Sequence, residues 1–121
     1  MSPERSRFPR AVYRHGEEPD ARFTFANERT FLAWIRTALA LVAGGVALEL
    51  LGLDLQPQLK LAASLLLIAA GIATPALAWV NWVRSERAMR LAVPLPGSLL
   101  APAMGIVVTA AGALVLLATL L

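Results

Sequence analysis

The sequence contains no cysteine and little charge, since only 16% of its 121 residues are Asp, Glu, Lys or Arg. The absence of cysteine excludes a small secreted domain held by disulfides, and an ordinary soluble domain has about 25% charged residues. Hydrophobic residues make up 58% of the chain, which leaves too few polar residues to cover the surface of a short soluble domain. The composition therefore indicates a protein of the lipid bilayer.

Residues that carry common catalytic chemistry are also missing. His15 is the only histidine, so the sequence offers no pair of His or Cys ligands to share a metal ion. It has no phosphate-binding glycine loop and no HExxH pattern. These absences predict that the protein is not an enzyme and that it holds no cofactor and no metal.

Three apolar runs, at about residues 31–53, 59–83 and 98–121, dominate the chain. Runs of 20 or more residues are long enough to cross a hydrocarbon core of about 30 Å. Polar and helix-breaking residues separate them, and the intervening loops are short. The sequence predicts an all-α integral membrane protein in which residues 22–121 form three transmembrane helices with antiparallel neighbours.

Residues 1–21 precede the helical pattern and are rich in charge, proline and glycine. They show no periodic apolar stripe, so we expect a flexible polar arm on the cytoplasmic side.

The basic residues predict the orientation of the helices. The net charge is +3. Six arginines precede the first run and three follow the second, whereas Lys60 is alone on the opposite side. Because basic residues favour the cytoplasmic side, we expect a cytoplasmic N-terminus and an external C-terminus. Arginines at the ends of apolar runs are typical of membrane proteins, so no nucleic-acid partner is expected.

Arg22, Arg29 and Arg36 are spaced by seven residues, almost two helical turns. On a continuous helix they form one basic line that enters the membrane and continues as the small residues Ala40, Gly44 and Ala47. A charged and small face is typical of a helix that lines a pore or faces a bundle. We therefore single out the three arginines as pore-lining or anion-binding candidates, and the three small residues as helix-packing candidates.

Arg36 lies inside an apolar run, where an arginine costs about 2.5–3.5 kcal/mol at the helix centre. Its long side chain can reach back to lipid phosphate, or it can face a wet cavity shared between subunits. It can also form a buried pair with Glu28 or with another helix. In a further geometry, residues 22–35 lie along the membrane surface and the spanning helix starts at Arg36.

Other candidates have roles in orientation or packing. Glu28 either stabilises the positive end of the helix dipole or orients Arg29 or Arg36 as an ion pair. In the second run, Thr74 and Asn81 share a small face, and Pro75 removes a backbone hydrogen bond. In the third run, Gly105 and Gly112 lie on a small-residue face. Such faces pack against other helices in lipid.

The segment RFTFANERTFLAWIRTALAL, residues 22–41, resembles the signature of the bacterial YidH-like inner-membrane family. The resemblance covers nearly the whole chain and implies a multi-pass protein of the bacterial cytoplasmic membrane. The same domain occurs in the membrane part of the eukaryotic vacuolar transporter chaperone complex, where a multi-subunit channel conducts polyphosphate. The resemblance implies that Arg29 and Arg36 occupy channel positions, that Glu28 orients them, and that Arg22 matches a basic position just before this block.

Two functions follow from these patterns. The first is a homo-oligomeric channel for anions, including phosphate-rich polyanions, lined by the arginines of the first helix. The second is a non-conducting membrane subunit whose arginines bind anionic lipids and whose small-residue faces bind a partner protein.

Overall fold

A computed structural model describes residues 21–92, 94 and 99–121 of the chain. Three α-helices make up this part: α1 (Ala21–Leu50), α2 (Pro57–Arg90) and α3 (Leu100–Leu120). The polar arm expected over residues 1–21 lies outside the described residues, apart from Ala21.

All three helices are long and apolar enough to cross a membrane. The shortest, α3, has 21 residues and is therefore about 32 Å long, close to the thickness of a hydrocarbon core. The prediction of an all-α protein with three transmembrane helices is confirmed.

Two of the helices extend beyond the apolar runs at the same end of the molecule. The described part of α1 starts at Ala21, ahead of the apolar run at 31, and α2 continues past residue 83 to Arg90. Hydropathy marks only the segment that suits lipid, whereas the two helices continue beyond it into polar sequence.

α2 is the central helix, and α1 and α3 pack on it without contacting each other among the described residues. Contacts of α1 with α2 run from Asn27–Glu86 through Phe31–Trp79 to Gly45–Ser64, so these two helices are antiparallel. At the start of α2, the backbone N–H of Gln56 donates to the carbonyl of Ala118 near the end of α3, at 3.1 Å.

The three helices therefore form an open layer. Ala21 and Leu121 lie at opposite ends of this layer. Which end is cytoplasmic stays a prediction from the distribution of basic residues.

Local signals explain where α1 ends and α2 begins. Gly52 has φ +63°, a left-handed conformation that glycine adopts without steric cost and that commonly ends a helix. The side chain of Gln56 accepts a 2.7 Å bond from the N–H of Leu59, and Pro57 occupies the first turn of α2. Both features favour a helix start, since proline there loses no helical hydrogen bond.

Small residues allow α1 and α2 to approach closely. A Cβ added at Gly45 would lie 2.6 Å from Ile68 Cγ1, and one at Gly71 would lie 2.5 Å from Val42 Cγ2. Beside Gly45, the hydroxyl of Ser64 is buried and donates to the Gly45 carbonyl at 2.6 Å. Close backbone approach with interhelical hydrogen bonds is typical of helix packing in lipid.

Candidate functional site: a polar junction and an arginine face

A cluster of polar side chains joins α1 to the end of α2. The Asn27 side-chain amide donates to the carbonyl of Trp82 at 3.1 Å and to Glu86 Oε1 at 3.3 Å. The hydroxyl of Thr24 donates to Glu86 Oε2 at 3.4 Å. We call Thr24, Asn27 and Glu86 the polar junction.

Glu86 is almost completely buried, with 1% of its surface exposed. A buried carboxylate is tolerated only when hydrogen bonds or opposite charge replace its water. Both of its oxygens accept bonds from α1, and the positive charge of Arg90 acts on it one turn later in α2. The negative charge of Glu28 also acts on Glu86 and opposes the effect of Arg90.

An aromatic cluster borders the polar junction on the side of the apolar runs. Trp79 stacks on Trp82 with ring centroids 5.1 Å apart, and Phe31 meets Trp79 edge-on at 6.0 Å. Tryptophan favours the boundary between hydrocarbon and headgroups. The cluster therefore marks the level at which the helix pair enters lipid, and it places the polar junction at headgroup depth or beyond.

The basic line of α1 lies on the side of the helix turned away from α2. An α-helix turns about 100° per residue, which places Arg29 and Arg36 opposite the buried Ala38 and Gly45. On this side the exposed Phe25 and Leu32 border the line of arginines. We call the residues of that line and the small residues that continue it, all within about 40° of one another on the helix, the arginine face: Arg22, Arg29, Arg36, Ala40 and Ala47. All are exposed except Ala47, which is half-buried.

The polar junction fixes the rotation of α1 and therefore the direction in which the arginine face points. Rotating α1 about its axis would break the bonds of Asn27 to Glu86 and Trp82, and it would bring residues with side chains against Ser64 at the close contact of Gly45. α1 therefore presents its arginines away from α2 as a consequence of packing on the opposite side.

The structure excludes one of the alternatives for Arg36. α1 is a single helix from Ala21 to Leu50, so residues 22–35 do not form a separate segment along the membrane surface with the spanning helix starting at Arg36. Arg36 is exposed, and among the described residues no ion pair joins it or Arg29 to Glu28. Glu28 itself is exposed in the second turn of α1.

The residues predicted to pack helices take different positions. Thr74 is buried, but its hydroxyl donates to the Ala70 carbonyl of its own helix at 2.6 Å. α2 continues through the half-buried Pro75. Asn81 lines a groove between α2 and α3. Gly44 is in ordinary contact range of Leu67 of α2, since a Cβ added there would lie 3.7 Å from Leu67 Cδ1.

Gly105 and Gly112 contact no other helix of the described chain. Both are exposed, and a Cβ added at either would meet nothing within 4 Å. Gly105 lies in a shallow exposed groove of α3 with Ile106 and Thr109. Their role in helix packing stays a prediction.

Sequence reasoning missed Glu86, Gly45 and Gly71. Glu86 stands among arginines and resembles a solvated loop residue. The buried positions 74, 78, 82 and 86 recur every four residues, and this stripe, followed past the apolar run, would have placed Glu86 on the packing face.

Comparison with known proteins is consistent with this architecture. Residues 22–88 match a family model described as a domain of unknown function, DUF202. The chain is 49% identical over 88 residues to the inner membrane protein YidH of Escherichia coli strain K12. This match covers 70% of the present chain and 75% of YidH. It is 48% identical over 80 residues to an uncharacterised protein of Mycobacterium tuberculosis strain H37Rv, covering 65% and 66% of the two chains. No solved structure matches.

Proposed function

This chain belongs to the DUF202 family of YidH-like inner-membrane proteins, and from that premise we propose that several copies assemble around their arginine faces to form a conduit for phosphate-bearing anions. The observation that supports this most strongly is the position of Arg36. It lies inside a helix that is apolar enough to span the membrane, on the side that does not pack on α2.

Energetics favours a wet surrounding for this face over lipid. An arginine at the centre of a spanning helix costs about 2.5–3.5 kcal/mol in lipid, and Arg36, which lies about 7.5 Å beyond Phe31 of the aromatic cluster, bears part of that cost. α2 does not shield Arg36, because it covers the opposite side of α1. A water-filled interior shared between copies removes this cost, and the small Ala40 and Ala47 leave room for it beyond Arg36.

The open layer of helices explains why more than one copy is needed. α1 and α3 do not contact each other among the described residues, so the described part of one chain encloses no passage. A closed ring of copies, the usual symmetry of homo-oligomers, brings the α1 helices together around one axis. The arginines of all copies then surround that axis and repel one another until anions occupy it.

Arginine chemistry suggests the class of anion. The planar guanidinium donates two parallel hydrogen bonds to phosphate oxygens. Arg29 and Arg36 are seven residues apart and therefore separated by about 10 Å along the helix. A polyphosphate-type chain, with one phosphate group after another, can contact both levels at once.

Flux of phosphate into liposomes containing the purified protein tests the proposal. We expect Arg36→Ala to lower the flux at least about tenfold, since a hydrogen bond to a charged group is worth about 1.5–3 kcal/mol. Arg87→Ala is the matched control, because Arg87 is exposed near the end of α2 and away from the arginine face. Unchanged flux in Arg36→Ala, or an equal loss in both variants, contradicts the conduit.

The exposed small face of α3 favours a second candidate function, that of a non-conducting subunit. Gly105 and Gly112 leave this face open to the helix of a partner protein, while the arginines bind anionic lipid headgroups. The two functions differ in oligomeric state and flux. A protein that stays monomeric in native lipid and conducts no anions supports the second function over the first.

A further inference from the structure

A groove separates the later part of α2 from the first turns of α3. Its volume is about 190 Å³, several times that of a water molecule. The lining includes Leu77, Val80, Asn81, Arg84, Leu100 and Ala103. Apolar side chains form most of this wall, and Asn81 and Arg84 provide the polar groups.

The polar and apolar parts of the groove lie at different depths. Arg84 is exposed and follows Trp82 of the aromatic cluster by two residues, which places it at the level of the headgroups. Leu77 is seven residues earlier, about 10 Å further along the helix toward the centre of the span. The groove therefore combines a cationic entrance at headgroup depth with an apolar wall at the depth of the acyl chains.

We propose that this groove binds one anionic phospholipid. Its phosphate accepts hydrogen bonds from Arg84 and from the side-chain amide of Asn81, and one acyl chain lies along Leu77, Val80 and Ala103. The positive charge of Arg84 complements the phosphate, and the apolar wall complements the chain. Free phosphate matches only the first of these features, which is why we assign a lipid.

A lipid in this position would connect α2 to α3 where α3 begins. At the other end of α3, a backbone hydrogen bond between Gln56 and Ala118 already connects them. The site is separate from the arginine face, which lies on α1 away from α2. Loss of lipid binding here therefore leaves the conduit proposal unaffected, and the reverse is also true.

Native mass spectrometry of the full chain in detergent, titrated with phosphatidylglycerol, tests the site. We expect one lipid to stay bound and Arg84→Ala to weaken its retention about fivefold, the effect of one basic residue near anionic lipid. Arg87→Ala removes the same charge from an exposed position outside the groove lining and should retain the lipid. Ala103→Phe keeps all charges but fills the groove, and it should also lose the lipid.

Three results would overturn the proposal. Equal weakening by Arg84→Ala and Arg87→Ala would mean that the lipid follows net charge alone. Full retention in Ala103→Phe, with its melting temperature unchanged, would mean that no acyl chain occupies the groove. Displacement of the lipid by excess inorganic phosphate would mean that the groove recognises phosphate alone and does not bind an acyl chain.

Discussion

Gly71 and Gly45 determine how closely α1 and α2 approach each other. At Gly71 the neighbouring atoms belong to the side chain and backbone of Val42 and to the backbone of Ala38. Backbone atoms cannot move away as the end of a flexible side chain can, so any larger residue at this position must separate the helices.

We therefore predict that Gly71→Ala destabilises the protein although alanine is the better helix former. The added Cβ would lie 2.5 Å from Val42 Cγ2 and 2.9 Å from the Ala38 carbonyl oxygen. Such overpacking costs about 1–3 kcal/mol, which a melting curve in detergent measures. Gly105→Ala is the control and should be neutral or slightly stabilising, since its Cβ meets no atom of the described residues within 4 Å. Equal melting temperatures for the two variants would contradict the close contact.

At the scale of the helices, the polar junction fixes the rotation of α1 against α2. Asn27 and Thr24 lie on α1, whereas Glu86 lies on α2 beyond the aromatic cluster. Their bonds act at one end of the helix pair, and the contact of Ser64 with Gly45 acts further along it. Two separated points of attachment define both the register and the rotation.

We expect Asn27→Ala to lower the free energy of unfolding by about 1–3 kcal/mol, because it leaves the buried Glu86 without one of its donors. Thr30→Ala is the control, since Thr30 is exposed and, within the part of the chain that the structure describes, bonds only to the Ala26 carbonyl of its own helix; its effect should stay within about 0.5 kcal/mol. In a Glu86→Gln background, which lacks the buried negative charge, Asn27→Ala should cost less than it does in the native chain, because the two residues act on each other directly. An equal cost of Asn27→Ala in both backgrounds would show that burial of the Glu86 carboxylate is not the source of the cost.

Hydropathy was sufficient to predict the number of helices but not which faces meet. Lipid requires long apolar runs, and these are directly visible in the sequence. α1, however, has small residues on several sides, including Ala38, Ala40, Gly44 and Gly45. Which of them approaches α2 depends on the shapes of Ser64 and Ile68 opposite, and the sequence of α1 alone does not contain that information.

For the whole molecule, the open layer and its two antiparallel contacts place the ends of the described chain on opposite sides of the membrane. The fold itself does not distinguish the two sides. The two sides are distinguished by the excess of arginine at the end that carries the polar junction. Because basic residues favour the cytoplasm, this end is predicted to be cytoplasmic.

Cysteine labelling in intact cells tests this orientation on a chain that has no cysteine of its own. Asp54→Cys, in the exposed loop between α1 and α2, should react with a membrane-impermeant thiol reagent added outside. Arg87→Cys, exposed near the end of α2, should react only after the membrane is opened. The reverse pattern would invert the orientation without changing the fold.

The central claim is that the arginine face meets water while the neighbouring face of α1 meets lipid. Reaction rates of single cysteines with a water-soluble thiol reagent, in protein reconstituted in lipid, test it most directly, because the reactive thiolate forms only in water. Two adjacent pairs give matched depths: Ala40→Cys with Leu39→Cys, and Ala47→Cys with Val46→Cys. We predict that the alanine positions react much faster than Leu39 and Val46, which are exposed in the single chain but face lipid in the membrane. Equally slow reaction at all four positions would show that the arginine face lies in lipid and would contradict the conduit.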